Sequence, residues 1–315
     1  MTTRAAMLLA VLTMLALIGP LCAPYDPVVA HRAFLFAPPM PPRVIGAAGF
    51  QAPFVYPVIL ADRLSQTYEE DRARTQPLPW FAPRDAASPS FLLGADSFGR
   101  DVLSRILHGA RRSIGLGLAA TLGAVLLGVL VGGAAAYRGG LVDDLLMRVA
   151  DFVLVLPVIY VVLVLRTVMP LVLPESTIFL LMTTIFALVG WPFVARGVRA
   201  IVSAEREREY VLAARSLGAS ATRVFVRHLL PACVSYLLVQ ATLLLPAFIL
   251  AEATLSYVGL GFREGTPTWG TMLADAADVN VITRFPWMLA PAFAIFGVTF
   301  AANAILQETK RPSLQ

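Results

Sequence analysis

A chain of 315 residues that is 58% hydrophobic and only 14% charged, with a mean hydropathy of +0.74, departs from soluble domains, in which about half the residues are apolar and about a quarter charged, and falls in the membrane class. Its formal charge of +5 comes from 25 basic and 20 acidic residues, with Lys310 the only lysine. The basic residues lie mostly between apolar blocks, which makes them topology signals and not a nucleic-acid-binding face. Cys22 and Cys233 sit in apolar stretches and support neither a disulfide framework nor a cysteine metal site.

The chain opens with Arg4 and an apolar run over residues 5–22. Two readings are open: a first transmembrane segment or signal-anchor over 1–23, or a cleaved signal peptide. The run is long for a signal core, and Gly19-Pro20-Leu21 before Cys22 makes a poor lipid-attachment box, so a retained segment is expected. Residues 24–112 are expected to form an extracytoplasmic insertion with an amphipathic lead-in. Up to residue 95 the insertion is rich in proline and aromatics, as in Pro38-Pro39-Met40-Pro41-Pro42 and Pro77-Leu78-Pro79-Trp80-Phe81. It reads as irregular, partly extended chain, either a coiled linker or a surface that meets a partner or covers a pore mouth.

A helix needs about 20 predominantly apolar residues to cross the hydrocarbon core. Five stretches qualify. Residues 113–137, 176–195, 231–251 and 285–307 carry no charge, and 151–170 is apolar except for Asp151 and Arg166. They predict a five-helix core over 113–307, followed by a tail over 308–315. Pro157, Pro192, Pro246 and Pro291 are compatible with spans, because membrane helices tolerate proline where neighbours re-satisfy the freed carbonyls.

Orientation follows from the basic residues of short loops. The connection around 199–230 contains Arg199, Arg206, Arg208, Arg215, Arg223 and Arg227 and is expected to be cytoplasmic, together with 138–148, Arg4 and the tail. The 24–112 region then lies outside. Its ten arginines stand against eight acids, and long segments translocate largely regardless of charge.

The 199–230 connection is predicted to hold a helix over about 205–217, ended by Gly218 in the left-handed conformation that glycine reaches without a Cβ clash. Ser220 is then an N-cap for the next helix. Ala213 and Ala214 offer a small, smooth surface to another backbone. Glu205, Glu207 and Glu209 are placed at the N-terminal end, where the helix dipole favours them. A solvated, charge-laced connector is the plainer alternative.

The run Glu209-Tyr210-Val211-Leu212-Ala213-Ala214-Arg215-Ser216-Leu217-Gly218-Ala219-Ser220, with Leu229-Leu230-Pro231 closing thirteen residues after the glycine, resembles the EAA loop of ATP-binding cassette (ABC) importer permeases. Leu212 stands where that loop carries its name-giving glutamate, and His228 where isoleucine is usual. Residues 93–105 (Leu93-Gly94-Ala95-Asp96-Ser97-Phe98-Gly99-Arg100-Asp101-Val102-Leu103-Ser104-Arg105), 143–151, 251–261 and Pro267-Thr268-Trp269-Gly270 extend the resemblance, in order, to the DppC/OppC-like dipeptide and oligopeptide permeases. The likeness implies an all-α integral membrane fold, the type I importer transmembrane domain, with about six spanning helices and both termini cytoplasmic. It also implies that Glu209, Tyr210, Ala213, Ala214, Gly218 and Ala219 couple to an ATPase, with Ser220, Leu230 and Pro231 shaping the loop. The implied partners are two ATP-binding cassette ATPase subunits carrying ATP and Mg, a second permease subunit, an extracytoplasmic substrate-binding protein and the lipid bilayer. The implied location is a bacterial inner membrane.

The chain has no Gly-x-x-x-x-Gly-Lys-Ser/Thr loop, since its one lysine precedes Arg311 and Pro312; no cofactor is expected on this chain, and energy must come from another subunit. No catalytic residue and no metal site is predicted, as His31, His108 and His228 lack ligand spacing. Asp151 and Glu252 are gate or pathway candidates, because ionisable residues at membrane depth are functional hypotheses by default; snorkelling or pairing is the alternative for Asp151, and a structural place for Glu252. A secondary transporter would need midplane coupling-ion residues and often internal repeats. A membrane-embedded enzyme would need a nucleophile pattern such as Gly-x-Ser-x-Gly. Neither pattern is present.

Overall fold

The computed structural model describes residues 14, 17–46, 49–78, 80, 89–168, 173–263 and 265–310. The expected first segment therefore lies largely outside the described residues, apart from helical residues at 17–22. So do Pro79, Phe81 and the last five residues of the tail. The chain divides into two compact units: one holds Leu116–Glu252 and the part from Thr299 onward, the other Ala10–Gly115 and Ala253–Val298.

The first unit is helical. It takes in most of α1 (Val102–Arg138), α2 (Gly140–Val155), α3 (Val158–Val168), α4 (Glu175–Glu205), α5 (Glu209–Ser216) and most of α6 (Ala221–Tyr257). Glycines on α1 let α4 come close: a Cβ at Gly128 would lie 2.4 Å from the Val194 side chain, and one at Gly132 only 2.3 Å from the Ala195 carbonyl oxygen. This spacing of small residues four apart is how apolar helices bring their backbones together. Ala150, Trp191 and Ala195 form the core here, with Leu127, Val131 and Val153 packed around them. Phe248 of α6 stacks on Phe186 of α4 at 5.5 Å and covers Gly190.

Among the described residues, three helices are long and apolar enough to span a membrane: α1, α4 and α6. They contain the stretches expected at 113–137, 176–195 and 231–251. The stretch expected at 151–170 is not one continuous helix over its described residues. The helix ends at Val155, and Leu156 adopts φ −73° and ψ 117°, because the residue before a proline is pushed out of the helical region. Pro157 thus separates α2, of 16 residues, from α3, of 11. By contrast Pro192 and Pro246 lie inside unbroken helices. The fifth stretch begins with a 3₁₀ turn over Pro286–Leu289 and continues as α9 (Ala290–Lys310), with a shorter apolar helix over Pro286–Ala302.

The second unit departs from the all-α expectation. The chain is mostly helical, but 43–77 contains β1 (Arg43–Gly46), β2 (Gly49–Val55), β3 (Val58–Asp62), β4 (Thr67–Glu70) and β5 (Gln76–Pro77). β1, β2 and β5 make one antiparallel sheet, and β3–β4 a separate hairpin. The β3–β4 turn is held by Asp62, whose carboxylate accepts from the Leu64 N–H at 2.9 Å and the Ser65 hydroxyl at 2.6 Å. Ala37, Met40, Val55, Val58, Phe91 and Ala95 are buried together, with Phe34, Tyr68, Leu78 and Leu92 around them. The segment read as irregular therefore has its own apolar core. The unit also holds the short helices α7 (Trp269–Asp275) and α8 (Val279–Arg284).

Candidate functional site

The 205–231 segment turns sharply between α4 and α6. α4 runs to Glu205, where the next helix was expected to open, and α5 begins only at Glu209. Glu205 is thus the last residue of α4 and lies outside the first turn of α5, and its carboxylate accepts the Tyr210 hydroxyl at 2.5 Å. Glu209 is the acid in the first turn of α5, and Arg215 the base in its last turn; both complement the helix dipole. Val211 is fully buried and pins α5 down.

The end of α5 is a Schellman motif. Gly218 has φ +81°. Its N–H donates to the Arg215 carbonyl at 2.9 Å, and the Ala219 N–H donates to the Ala214 carbonyl at 3.1 Å. These bonds satisfy carbonyls that the helix end would orphan. No atom lies within 4 Å of where a Cβ at Gly218 would stand, so glycine is required there by backbone conformation, not by space. Two residues on, the Ser220 hydroxyl accepts from the Arg223 N–H at 3.4 Å and caps α6. The turn presents apolar surface: Leu217 is 88% exposed, Leu212 48% and Tyr210 46%. Ala213 is exposed, and Ala214 and Ala219 are half-buried.

α6 carries a π-turn over Phe225–Leu229, in which the Leu230 N–H reaches back to the Phe225 carbonyl. The sequence reading missed it. It lies directly before Pro231, which has no N–H and crowds the carbonyl four residues back; a widened turn gives that ring room. Leu230 is half-buried and Pro231 exposed.

Asp151 is exposed and pairs with Arg196. Glu252 is 1% exposed and lies within α6, five residues before its end, not at a helix terminus. These two candidates are far apart in burial.

In the second unit, the 93–105 motif, noted only for its resemblance, closes on Asp275 in a buried charge cluster. Asp96 bonds the Arg100 Nε at 2.7 Å and also pairs with Arg105. Asp275, at the end of α7, takes Arg100 Nη2 at 3.2 Å and Arg105 Nη1 at 2.9 Å. All four side chains are less than 10% exposed. Asp96 also closes its own loop, accepting from the Phe98 and Arg100 N–H groups at 2.9 Å each. Asp101 beside it accepts from Ser104 N–H and hydroxyl at 2.7 and 2.6 Å. Burial, with the nearby Asp96 carboxylate adding, pushes Asp101 up to about 6. α7 is opened by a capping box between Thr268 and Thr271, and the Trp269 indole donates to the Ile106 carbonyl at 3.1 Å. The signal available in sequence was the unusual density of Asp and Arg in 96–105, but their partner lies 170 residues away.

Residues 124–307 match the family described as binding-protein-dependent transport system inner membrane component. The chain is 38% identical over 226 residues to the oligopeptide transport system permease protein OppC of Bacillus subtilis, covering 70% of this chain and 72% of that protein. It is 32% identical over 304 residues to the di/tripeptide transport system permease protein DppC of Pseudomonas aeruginosa, covering 95% and 84%. A chain from the MetNI methionine ABC transporter overlays with a TM-score of 0.48 at 16% identity, over 66% of this chain and 97% of that one. With the matched region spanning α4, the 205–231 turn and α6, the chain belongs to the binding-protein-dependent transport system inner membrane components and is a DppC/OppC-like ABC permease, a multi-pass membrane protein.

Proposed function

We propose that this permease moves short peptides or related small solutes across a bacterial inner membrane, and that separate ATPase subunits drive it through the 205–231 turn. The observation that carries this reading is the turn itself. A glycine-ended helix with exposed Leu212 and Leu217, followed at once by a serine-capped one, is a rigid apolar knob that a groove on another subunit could cover. Glu209, Tyr210, Ala213, Ala214, Gly218 and Ala219 form the docking face, and Ser220, Leu230 and Pro231 set its angle. ATP and Mg belong to the two ATPase partners. A second permease chain completes the pathway, and an extracytoplasmic binding protein delivers substrate. The peptide class rests on what the relatives are named for. In this reading about six spans place both termini and the 199–230 connection on the cytoplasmic side and 24–112 outside. Asp151 and Glu252 remain the gate or pathway candidates, Glu252 with the stronger case because it is buried.

Two measurements test the proposal. A cysteine at Ser203, probed with an impermeant thiol reagent in intact cells lacking the exposed native thiol, should stay unlabelled; labelling from outside would reverse the orientation. Purified alone, the chain should show no ATPase activity, while the assembled complex should take up a labelled di- or tripeptide only with ATP.

A further inference from the structure

The 205–231 turn is held against one place in the first unit, the corner where α1 meets α2. Arg206, the first residue past α4, donates from Nη1 to the Ala136 carbonyl at 2.7 Å. Ala136 lies in the last turn of α1, where a helix leaves carbonyls without intrahelical donors and where its dipole favours a cation. Next to it, the Arg215 guanidinium of α5 sits over the Tyr137 ring at 5.1 Å. On the other strand of the turn, Phe225 packs on Gly133, so closely that a Cβ there would lie 2.5 Å from the ring. Three residues of the turn thus contact 133–137 from three points along its length.

The far side of the corner is held as well. Gly139 and Gly140 both have positive φ, +65° and +53°, and reverse the chain between α1 and α2. Asp143, in the first turn of α2, receives a fork from Arg199: Nε to Oδ1 at 2.6 Å and Nη2 to Oδ2 at 2.5 Å. Arg199 and Arg206 are seven residues apart at the end of α4, about two turns, so they leave the same face of the helix. A two-point guanidinium fork fixes angle as well as distance.

We propose that the 136–143 corner receives the movement of the coupling turn, and that Arg199, Arg206 and Arg215 are the positioning residues that pass it on. This rests on the transport reading above. α5 has no covalent route to α1 or α2 except through α4 and α3, so these side-chain contacts give a displacement of α5 a direct path to them. Arg206 and Arg215 then load the end of α1, and Arg199 holds the start of α2 in step.

The test uses the assembled transporter in proteoliposomes with its ATPase subunits, partner permease and substrate-loaded binding protein. Peptide uptake and ATP hydrolysis are measured together, with copurification of the ATPases as the control for assembly. Arg206→Ala and Tyr137→Leu should each lower the peptide moved per ATP hydrolysed by roughly tenfold, with the ATPases still bound. Asp143→Arg should do the same, and Arg199→Asp in the same chain should restore a large part of the ratio, which a contact needed only for folding stability would not do at unchanged complex yield. A wild-type ratio in both Arg206→Ala and Tyr137→Leu overturns the inference. So does loss of the ATPases from either variant, since the contacts would then serve assembly. If the wild-type complex itself shows no ATP-dependent uptake, the transport reading is what fails.

Discussion

The 205–231 turn and the 94–105 loop each depend on a left-handed glycine, and for different reasons. Gly218 has φ +81° and open space around it. Gly99 has φ +74°, and the His31 carbonyl oxygen stands 2.1 Å from where its Cβ would be. The first glycine ends an exposed helix. The second lets the Gly99 and His31 backbones touch beside a charge cluster. The same residue in two motifs thus reports conformation in one place and close packing in the other, and the two respond differently to substitution.

The buried side of the comparison should give the largest effects. Arg105→Ala removes one partner from both Asp96 and Asp275 and should destabilise the protein by about 3–5 kcal/mol, the range for breaking a buried ion pair. Thermal unfolding of the detergent-solubilised chain measures this; a loss under about 1 kcal/mol, the level of an exposed pair, would mean the cluster is hydrated. Gly99→Ala should follow, losing about 1–2 kcal/mol for handedness and about 1–3 kcal/mol more for overlap with the His31 carbonyl.

At Gly218 only the handedness penalty applies. Gly218→Ala should lose about 1–2 kcal/mol, and Gly218→Val about 1–3 kcal/mol, with the valine variant still inserted in the membrane but unable to support uptake. If Gly218→Ala proves as destabilising as Gly99→Ala, the distinction between conformation and packing is wrong.

Asp101 sharpens the contrast through pH. Its folded value of about 6 lies above the ordinary 3.8, so the folded protein holds the proton more tightly than the unfolded chain. The resulting stability is fully present below the ordinary value and is lost as pH rises through about 6. Unfolding should therefore be harder at about pH 5 than at about pH 7, by about 1 kcal/mol, and Asp101→Asn should flatten the difference. A pH dependence unchanged in that variant would assign the effect to Asp275, which burial also raises. The smallest effect is expected at the exposed cap: Ser220→Ala should lose about 0.5 kcal/mol, the low end for an N-cap, because its bond is long at 3.4 Å.

The two regions also differ in how far they could be read in advance. Gly218 and Ser220 were legible because a helix end is a nearest-neighbour event: the left-handed residue and the cap act on atoms two to four positions away. The start of α5 was not, since whether Glu205 continues α4 or opens a new helix depends on where Tyr210 and Arg206 find partners. Pro157, Pro192 and Pro246 look alike in sequence, yet one separates two helices and two lie inside unbroken ones. The outcome depends on neighbours that only packing supplies. The strands of 43–77 were hidden for the same reason, as each needs a partner strand and the Phe91–Val55 core to exist.

The sequence by itself determined that this is a membrane protein, where its longest spans lie, and that a glycine-ended helix followed by a serine cap interrupts them. Those features follow from hydropathy and local backbone sterics, which act over a few residues. The tertiary structure alone decided that Asp96, Arg100 and Arg105 close on Asp275, and that three arginines grip the corner at 136–143. Charges can be buried or aimed only where distant segments remove them from water together, and no short stretch of chain contains that information.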